Sequence, residues 1–203
     1  MSLLAVVPSR QWSAGVPCKN RHAWPALCDT LTLLSPDAVI VVTDDPALAY
    51  ETQARGLGRC IWRPMGAQHT VAEAVRAALA DEVMTPDDIV AVLQPSSPTR
   101  NRADYVRAAV ARMALGDVES VVSVVPMPGD VGKAVRVTPE GTLRPYWGDT
   151  WAGVPDRRQD APTAYRRDGT CYVVRGELAA GGELYGRVTA ALLVDPADSV
   201  TVD

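Results

Sequence analysis

Two loops of the sequence carry side chains that could bind a phosphorylated ligand. The first loop, residues 8–20, reads Pro-Ser-Arg-Gln-Trp-Ser-Ala-Gly-Val-Pro-Cys-Lys-Asn and lies between an apolar run and a helical pattern. Backbone N–H groups of such a loop can wrap a polyphosphate, while Arg10 and Lys19 neutralise its charge. The glycine spacings of the P-loop and of the dinucleotide fingerprint are both missing. The spacing alone therefore leaves two interpretations, a phosphate-binding loop or a solvated surface loop.

The second loop, residues 94–100, reads Gln-Pro-Ser-Ser-Pro-Thr-Arg. Its two prolines stiffen the backbone. The Gln94 amide offers both a donor and an acceptor, which suits the recognition of a base or sugar edge. The alternative interpretation is a rigid turn from a strand into a helix, with Thr99 or Asn101 capping that helix.

The elements that would position these loops follow from the hydrophobic pattern. Strands are predicted at residues 3–7, 37–43, 59–63, 88–93, 120–125, 133–137, 143–145, 170–175 and 189–194, and helices at residues 23–34, 46–56, 70–82 and 101–115. Asp45 before Pro46 is typical of a helix start, and Thr70 with Glu73 matches a capping box. The alternation predicts an α/β fold, with a Rossmann-like, mostly parallel sheet and helices on both faces. Ligands of such sheets bind beyond the carboxyl ends of the strands, which here are the loops after residues 7, 43 and 93.

The second half of the chain changes in composition. Residues 126–169 hold six of the 16 prolines together with Trp147 and Trp151. We interpret this stretch as an arm inserted into a single domain of residues 1–203. Four arginines, at positions 157, 158, 166 and 167, indicate either a basic pocket or, because aspartates lie between them, a solvated charged face. The two tryptophans could stack on a ligand or form a dimer contact.

The overall composition excludes several classes of protein. The chain has 203 residues, 47% of them hydrophobic and 22% charged, with a net charge of −4. These values are typical of a globular domain, not of a disordered or coiled-coil chain, and they argue against a nucleic-acid partner. The longest apolar runs are too short for a membrane span, and the opening residues do not match a signal peptide, so we expect a cytoplasmic protein. The four scattered cysteines are expected to be small buried hydrophobic residues.

Five blocks of residues, spread over nearly the whole chain, match motifs of a known protein family in the same order. They are Arg10, Ser13, Gly15, Pro17, Lys19 and Asn20; Val42-Thr43-Asp44; Leu93-Gln94-Pro95-Ser96-Ser97-Pro98; Arg158-Gln159-Asp160, Pro162, Tyr165-Arg166, Gly169 and Tyr172; and Asp198-Ser199-Val200-Thr201-Val202-Asp203. Together they resemble the acylneuraminate (CMP-sialic acid) cytidylyltransferases. The pair Ser96-Ser97 is similar to the sialate branch, since the related deoxy-octulosonate branch typically has an aspartate in this loop.

The resemblance implies a reaction and an assembly. A protein of this kind would be a nucleotidyltransferase that transfers CMP from CTP to a small acidic acceptor and releases pyrophosphate, with Mg²⁺ as its cofactor. It would be a homodimer in which the inserted arm of one subunit reaches the other subunit's site. For such a transfer the protein mainly has to position the substrates and neutralise their charge. Arg10 and Lys19 in the first loop could supply the neutralising cations.

The resemblance also implies roles for individual residues. Arg10 and Lys19 would contact the CTP phosphates as the catalytic cations, and Asp203 would bind Mg²⁺. The nucleotide-binding set would comprise Ser13, Ala14, Gly15, Asn20, Arg63 and Gln94. The acceptor would be held by Gln94, Lys133, Arg158 and Arg166.

The sequence departs from the family at Ala14, where a lysine is usual, and at Thr201, where an aspartate is usual. In addition, the family usually continues beyond the position of Asp203 into another helix. These departures leave two acceptors open, a nonulosonic (sialic-type) sugar acid or a phosphonate such as phosphonoformate, whose dianion brings its own metal-binding oxygens. They also leave an alternative function, a catalytically inactive module that binds CTP or CMP.

Overall fold

The computed structural model describes residues 2–12, 16–63, 70–127, 131–148, 150–155, 157–161 and 163–202, without the side chain of Arg158. The chain divides into two compact units, one of residues 1–124 with 168–203 and one of residues 125–167. The strands are β1 (Leu3–Ser9), β2 (Ala38–Thr43), β3 (Arg59–Trp62), β4 (Ile89–Val92), β5 (Ser120–Pro126), β6 (Val135–Val137), β7 (Leu143–Pro145), β8 (Tyr165–Arg175) and β9 (Thr189–Leu193). The helices are α1 (Lys19–Leu34), α2 (Pro46–Ala54), α3 (Val71–Ala78), α4 (Arg102–Ala114) and α5 (Gly176–Ala180).

A seven-stranded sheet with the order β3-β2-β1-β4-β8-β5-β9 forms the centre of the larger unit. Strand β1 pairs in parallel with both β2 and β4, β2 pairs in parallel with β3, and β5 pairs in parallel with β9. Strand β8 runs antiparallel to β4. The predicted mostly parallel sheet is therefore confirmed, with one antiparallel strand at its centre. The carboxyl ends of β1 to β4 share one edge, where the loops after these strands begin.

Helices cover both faces of the sheet, as predicted. Alternate residues of β1 face opposite sides, because successive side chains of a strand point in opposite directions. Ala5 and Val7 join a core with α1 and α4, whereas Leu4 and Val6 join a second core with α3 and α5. In the described part of the chain, no helix is both long enough and apolar enough to cross a membrane.

Two of the predicted helix starts are confirmed in detail. The Asp45 side chain accepts a hydrogen bond from the Ala47 N–H at the start of α2. At the start of α3, Thr70 and Glu73 form the reciprocal hydrogen bonds of a capping box. Of the two predicted caps of α4, Asn101 does occupy the N-cap position, with a φ of 53°, but its side chain makes no capping hydrogen bond. Thr99 does not cap the helix, and its hydroxyl forms a hydrogen bond with the Thr170 hydroxyl instead.

Several element boundaries differ from prediction: α3, for example, ends at Ala78, four residues before the expected end, and α5 was not predicted. Helix α1 begins at Lys19, four residues before the expected start, because its first turn is polar and lacks the apolar spacing on which the prediction rested. Strand β8 begins at Tyr165, five residues earlier than expected, through a charged stretch with few apolar residues. Of the cysteines, Cys28 and Cys171 are buried as predicted, whereas Cys18 and Cys60 are only half-buried.

Residues 125–167 form the smaller unit, which contains a two-stranded hairpin of β6 and β7. The pairing is antiparallel, with Val135 opposite Pro145 and Val137 opposite Leu143. Tyr146 and Trp147 follow the hairpin and pack edge to face, with ring centroids 5.0 Å apart. The unit exposes several large apolar side chains, among them Val137, Trp147 and Trp151.

Candidate functional site

The loop after β1 is held at both of its described ends by hydrogen bonds. The side-chain amide of buried Asn20, in the first turn of α1, donates to the carbonyl oxygen of Arg10 over 2.9 Å. The Gln11 N–H donates to a carboxylate oxygen of Asp44 over 2.6 Å. These contacts join the end of β1 to the start of α1 and to the end of β2, while the Arg10 side chain stays exposed. Residues 13–15 lie outside the described residues.

An ion pair joins α1 to the loop after β2. The Arg21 guanidinium donates two hydrogen bonds to the Asp45 carboxylate, at 2.7 and 2.8 Å. Asp45 is fully buried, and it also caps α2. Its hydrogen bond is the main reason that the pKa of Arg21 lies above its ordinary value. The first turn of α1 and the loop after β2 are thereby fixed to each other by a bidentate contact.

The loop after β4 folds back on itself and onto β8. The Ser97 N–H donates to the Gln94 carbonyl oxygen, and the Ser97 hydroxyl donates to the Asp168 carbonyl oxygen. Gly169 has a φ of +80°, and a Cβ atom there would lie 2.3 Å from the Ser97 hydroxyl oxygen and 3.5 Å from Oε1 of Gln94. The glycine therefore permits both the turn and the close approach of β8 to the Gln94 side chain.

A buried polar network lies beneath this loop. The Arg102 guanidinium donates to the carbonyl oxygens of Thr170 (2.7 Å), Gln94 (3.0 Å) and Gly169 (3.4 Å). The buried Asp168 carboxylate accepts hydrogen bonds from the Thr170 N–H and hydroxyl. Burial lowers the pKa of Arg102 to about 10 against the opposing influence of Cys171 and Asp168, so the guanidinium remains charged at neutral pH.

The last described residues run along the same loop. The Ser199 hydroxyl donates to the Asp168 carboxylate over 3.2 Å, and the Val202 N–H donates to the Ser96 carbonyl oxygen over 2.8 Å. The Asp198 carboxylate accepts a hydrogen bond from the Tyr105 hydroxyl on α4. The chain is thus held beside the 94–100 loop up to the residue before Asp203, which lies outside the described residues.

A cavity of about 360 Å³ lies between the ends of β2 and β3 and helix α3. Its lining includes Val42, Ile61, Trp62, Arg63 and Glu73. Its walls are mainly apolar, with charged groups from the end of β3 and from α3.

The structure places the predicted site residues in two groups. Arg10, Lys19, Arg63 and Gln94 all lie at the carboxyl edge of the parallel strands, and Asn20 contacts Arg10 directly. Lys133 and Arg166 belong to residues 125–167, which form a unit of their own. The predictions for Ser13, Ala14, Gly15, Asp203 and the Arg158 side chain lie outside the described residues. In the charged cluster, Arg157 pairs with Asp160 and is mostly exposed, which matches the solvated-face interpretation for that residue.

Sequence reasoning missed several polar residues of this edge, namely Ser9, Arg21, Arg102, Asp168 and Thr170. The position of Arg102 was a usable signal, because it precedes Val106 by four residues and so shares the buried face of α4. The Ser9 hydroxyl gave no such signal. It is buried at the end of β1 and has no hydrogen-bond partner within the described part of the chain.

Comparison with known proteins gives a match for the fold but not for the sequence. No family model matches the sequence, and the search of curated proteins found no match to it. Among solved structures, CMP:2-keto-3-deoxy-manno-octonic acid synthetase complexed with CTP matches 100% of this chain and 93% of its own, with a TM-score of 0.66 at 14% identity. The 4-diphosphocytidyl-2C-methyl-D-erythritol synthase of Anaerococcus prevotii DSM 20548 matches 99% and 92%, with a TM-score of 0.62 at 11% identity. The chain therefore has the fold of the cytidylyltransferases.

Proposed function

We propose that the protein is a CTP-dependent cytidylyltransferase, which joins CMP to a small acidic acceptor and releases pyrophosphate. The observation that carries the proposal is the loop after β1, tied by Asn20 and Asp44 at the carboxyl edge of the sheet, next to the strand that leads into Gln94. Ligands of open α/β sheets bind at this edge. A solved protein of the same fold is described as a complex with CTP, which supports the choice of nucleotide.

The proposed roles in nucleotide binding follow from chemistry and position. Arg10 is exposed at the end of β1, and Lys19 opens α1, where the helix dipole also favours an anion. An arginine can bind a phosphate with two parallel hydrogen bonds, and a lysine acts as a point charge. Asn20 would hold the loop in shape. Gln94 would contact the nucleotide or the acceptor, with Arg63 nearby.

The acceptor is proposed to be an acid, either a nonulosonic sugar acid or a phosphonate. Lys133, Arg158 and Arg166 are the cations assigned to it, in addition to the Gln94 amide. Each of these groups can bind a carboxylate or a phosphonate, so their chemistry does not choose between the two acceptors.

A magnesium ion is proposed to accompany CTP. The donor chemistry fits, because Mg²⁺ is usually bound by one or two carboxylates together with substrate phosphates. Asp203 would supply the carboxylate, and the Val202 hydrogen bond to Ser96 brings the chain to the 94–100 loop one residue earlier. The ion would neutralise the charge that develops on the phosphates during transfer.

The deciding experiment measures pyrophosphate release from CTP and Mg²⁺ over a panel of nonulosonic acids and small phosphonates. We expect turnover with at least one acid, and no replacement of CTP by ATP or GTP. Tight CTP binding without turnover across the panel would favour the alternative, a nucleotide-binding module without catalysis. Absence of CTP binding would contradict both functions.

A further inference from the structure

Arg102 is a buried charge whose position needs an explanation. Its side chain is on the core-facing side of α4, and the residue is only 2% exposed. Taking a guanidinium out of water costs several kcal/mol, which hydrogen bonds to neutral carbonyls do not fully offset. None of the ion pairs within the described residues includes Arg102. An apolar side chain of similar volume would avoid this cost but would leave three carbonyl oxygens without their Arg102 donor.

The contacts of Arg102 share one property. All three go to backbone carbonyl oxygens, one on the loop after β4 (Gln94) and two on β8 (Gly169 and Thr170). The guanidinium therefore fixes the spacing between this loop and β8. Since Gly169 approaches the Gln94 amide closely, that spacing also determines where the amide of Gln94 lies.

We infer that Arg102 is a positioning residue for the transfer reaction, acting through Gln94. The inference rests on the proposed function, because it gives Arg102 the task of aligning a residue assigned to the nucleotide or acceptor. Its planar fork holds three carbonyl oxygens in a fixed arrangement, which a lysine ammonium on a flexible stem cannot reproduce. Arg102 touches no ligand in this scheme. It sets the geometry of the residue that does.

The test combines Arg102→Lys with Gln94→Ala in a double-mutant cycle. Arg102→Lys keeps the charge and is expected to fold, whereas Arg102→Met, which removes it, serves as a second variant. The matched control is Arg107→Lys on the same helix, where Arg107 makes an exposed ion pair with Asp104. The measurements are kcat and KM with CTP and the accepted acid, together with hydrogen exchange of the Ser97 and Thr99 amides.

We expect Arg102→Lys to lower kcat/KM by about ten-fold or more, the scale of a lost charge-assisted hydrogen bond. Gln94→Ala added to it should then cost much less than Gln94→Ala alone, because the amide is already misplaced. Arg107→Lys should leave kcat/KM unchanged. Independent, multiplicative losses would overturn the inference, since they would mean that Arg102 acts only through overall stability.

The exchange measurement separates this inference from the proposed function. If the unmodified protein turns over no acid in the panel, the proposed function has failed. The inference about Arg102 is then judged by exchange alone. Faster exchange at Ser97 and Thr99 in Arg102→Lys, but not in Arg107→Lys, would support its hold on the loop. Unchanged exchange would overturn it.

Discussion

The side-chain nitrogen of Asn20 lies 2.9 Å from the carbonyl oxygen of Arg10, and this contact links the first turn of α1 to the end of β1. Asn20 is buried, and it shares the inner face of α1 with Trp24 and Leu27. The core therefore fixes the amide, and the amide fixes the backbone of the loop. Because the backbone at Arg10 is already fixed, the Arg10 side chain would lose less conformational freedom when it binds a phosphate.

Replacing Asn20 with alanine should weaken CTP binding while leaving the protein folded. The lost hydrogen bond is worth about 0.5–1.5 kcal/mol, so an affinity loss of about three- to ten-fold is expected. Isothermal titration with CTP and Mg²⁺ measures it. Gln53→Ala, which removes an exposed amide on α2, is the control. Equal affinities in the two variants would show that the clamp does not shape the binding loop.

Arg10→Ala and Lys19→Ala test the phosphate assignment directly. Each change removes a cation from the proposed triphosphate site, and each should lower kcat/KM by about ten-fold or more. Neither side chain is buried in the core, so the melting temperature should change little. Arg55→Ala is the control, because Arg55 is an exposed residue that pairs with Glu51. Full activity of both variants would remove the loop after β1 from the site.

The hydrophobic pattern of the sequence predicted the fold well because the cores use regular spacing. The alternating residues of β1 and the stripe of α4 are direct consequences of strand and helix geometry. The pattern predicted a strand at residues 170–175 but not its antiparallel direction, nor the first part of β8, where Tyr165 is followed by three charged residues. Pairing with β4 depends on contacts distant in sequence, such as Val90 with Val174. Spacing within one segment carries no information about such a partner.

The candidate site was predictable only in part, for a related reason. Arg10, Lys19 and Gln94 follow predicted strands, so topology alone brings them to one edge. Asp168 and Arg102 resemble surface residues by type, since charged side chains are seldom buried. Their hydrogen bonds to Thr170 join residues 68 positions apart in one case and two in the other. The burial that gives them a role exists only in the folded chain.

Gly169→Ala should destabilise the protein more than a matched glycine change. Gly169 and Gly116 both have positive φ angles, +80° and +83°, so alanine costs about 1–2 kcal/mol at either position. A Cβ at Gly169 would also press on the Ser97 hydroxyl, whereas no described atom lies within 4 Å of a Cβ at Gly116. Urea unfolding of the two variants measures the difference. If both variants lose the same free energy of unfolding, the contact between Gly169 and Ser97 does not contribute to the loss.

Asp88 should contribute stability that depends on pH. Its carboxylate accepts hydrogen bonds from the hydroxyls and N–H groups of Ser2 and Thr85, and these bonds hold the pKa of Asp88 well below its ordinary value of 3.8, with the Ser2 hydroxyl as the largest cause. A lowered pKa means that the contribution is complete above the ordinary value and is lost as the pH falls through the folded-state value.

The corresponding variant is Asp88→Asn, compared with Asp87→Asn at its exposed neighbour. Urea unfolding is measured from neutral pH down into the acid range. Near neutrality, the midpoint urea concentration of Asp88→Asn should be lower than that of the unmodified protein. The difference between the two midpoints should narrow below a pH of about 4, because the unmodified protein then loses the same contribution. A gap that stays constant across this range would contradict the assignment.

Residues 125–167 are proposed to mediate a homodimer through their exposed aromatic side chains. Trp147 is 63% exposed and Trp151 is 52% exposed, although both are large apolar residues that are enriched at protein interfaces. Replacing both with serine should convert a dimer into a monomer, as measured by light scattering, and so should deletion of the unit. Tyr50→Ser is the control, since Tyr50 is 72% exposed on α2 in the other unit. A dimer that persists in both arm variants would place the interface elsewhere, and a monomer before any substitution would exclude the proposed assembly.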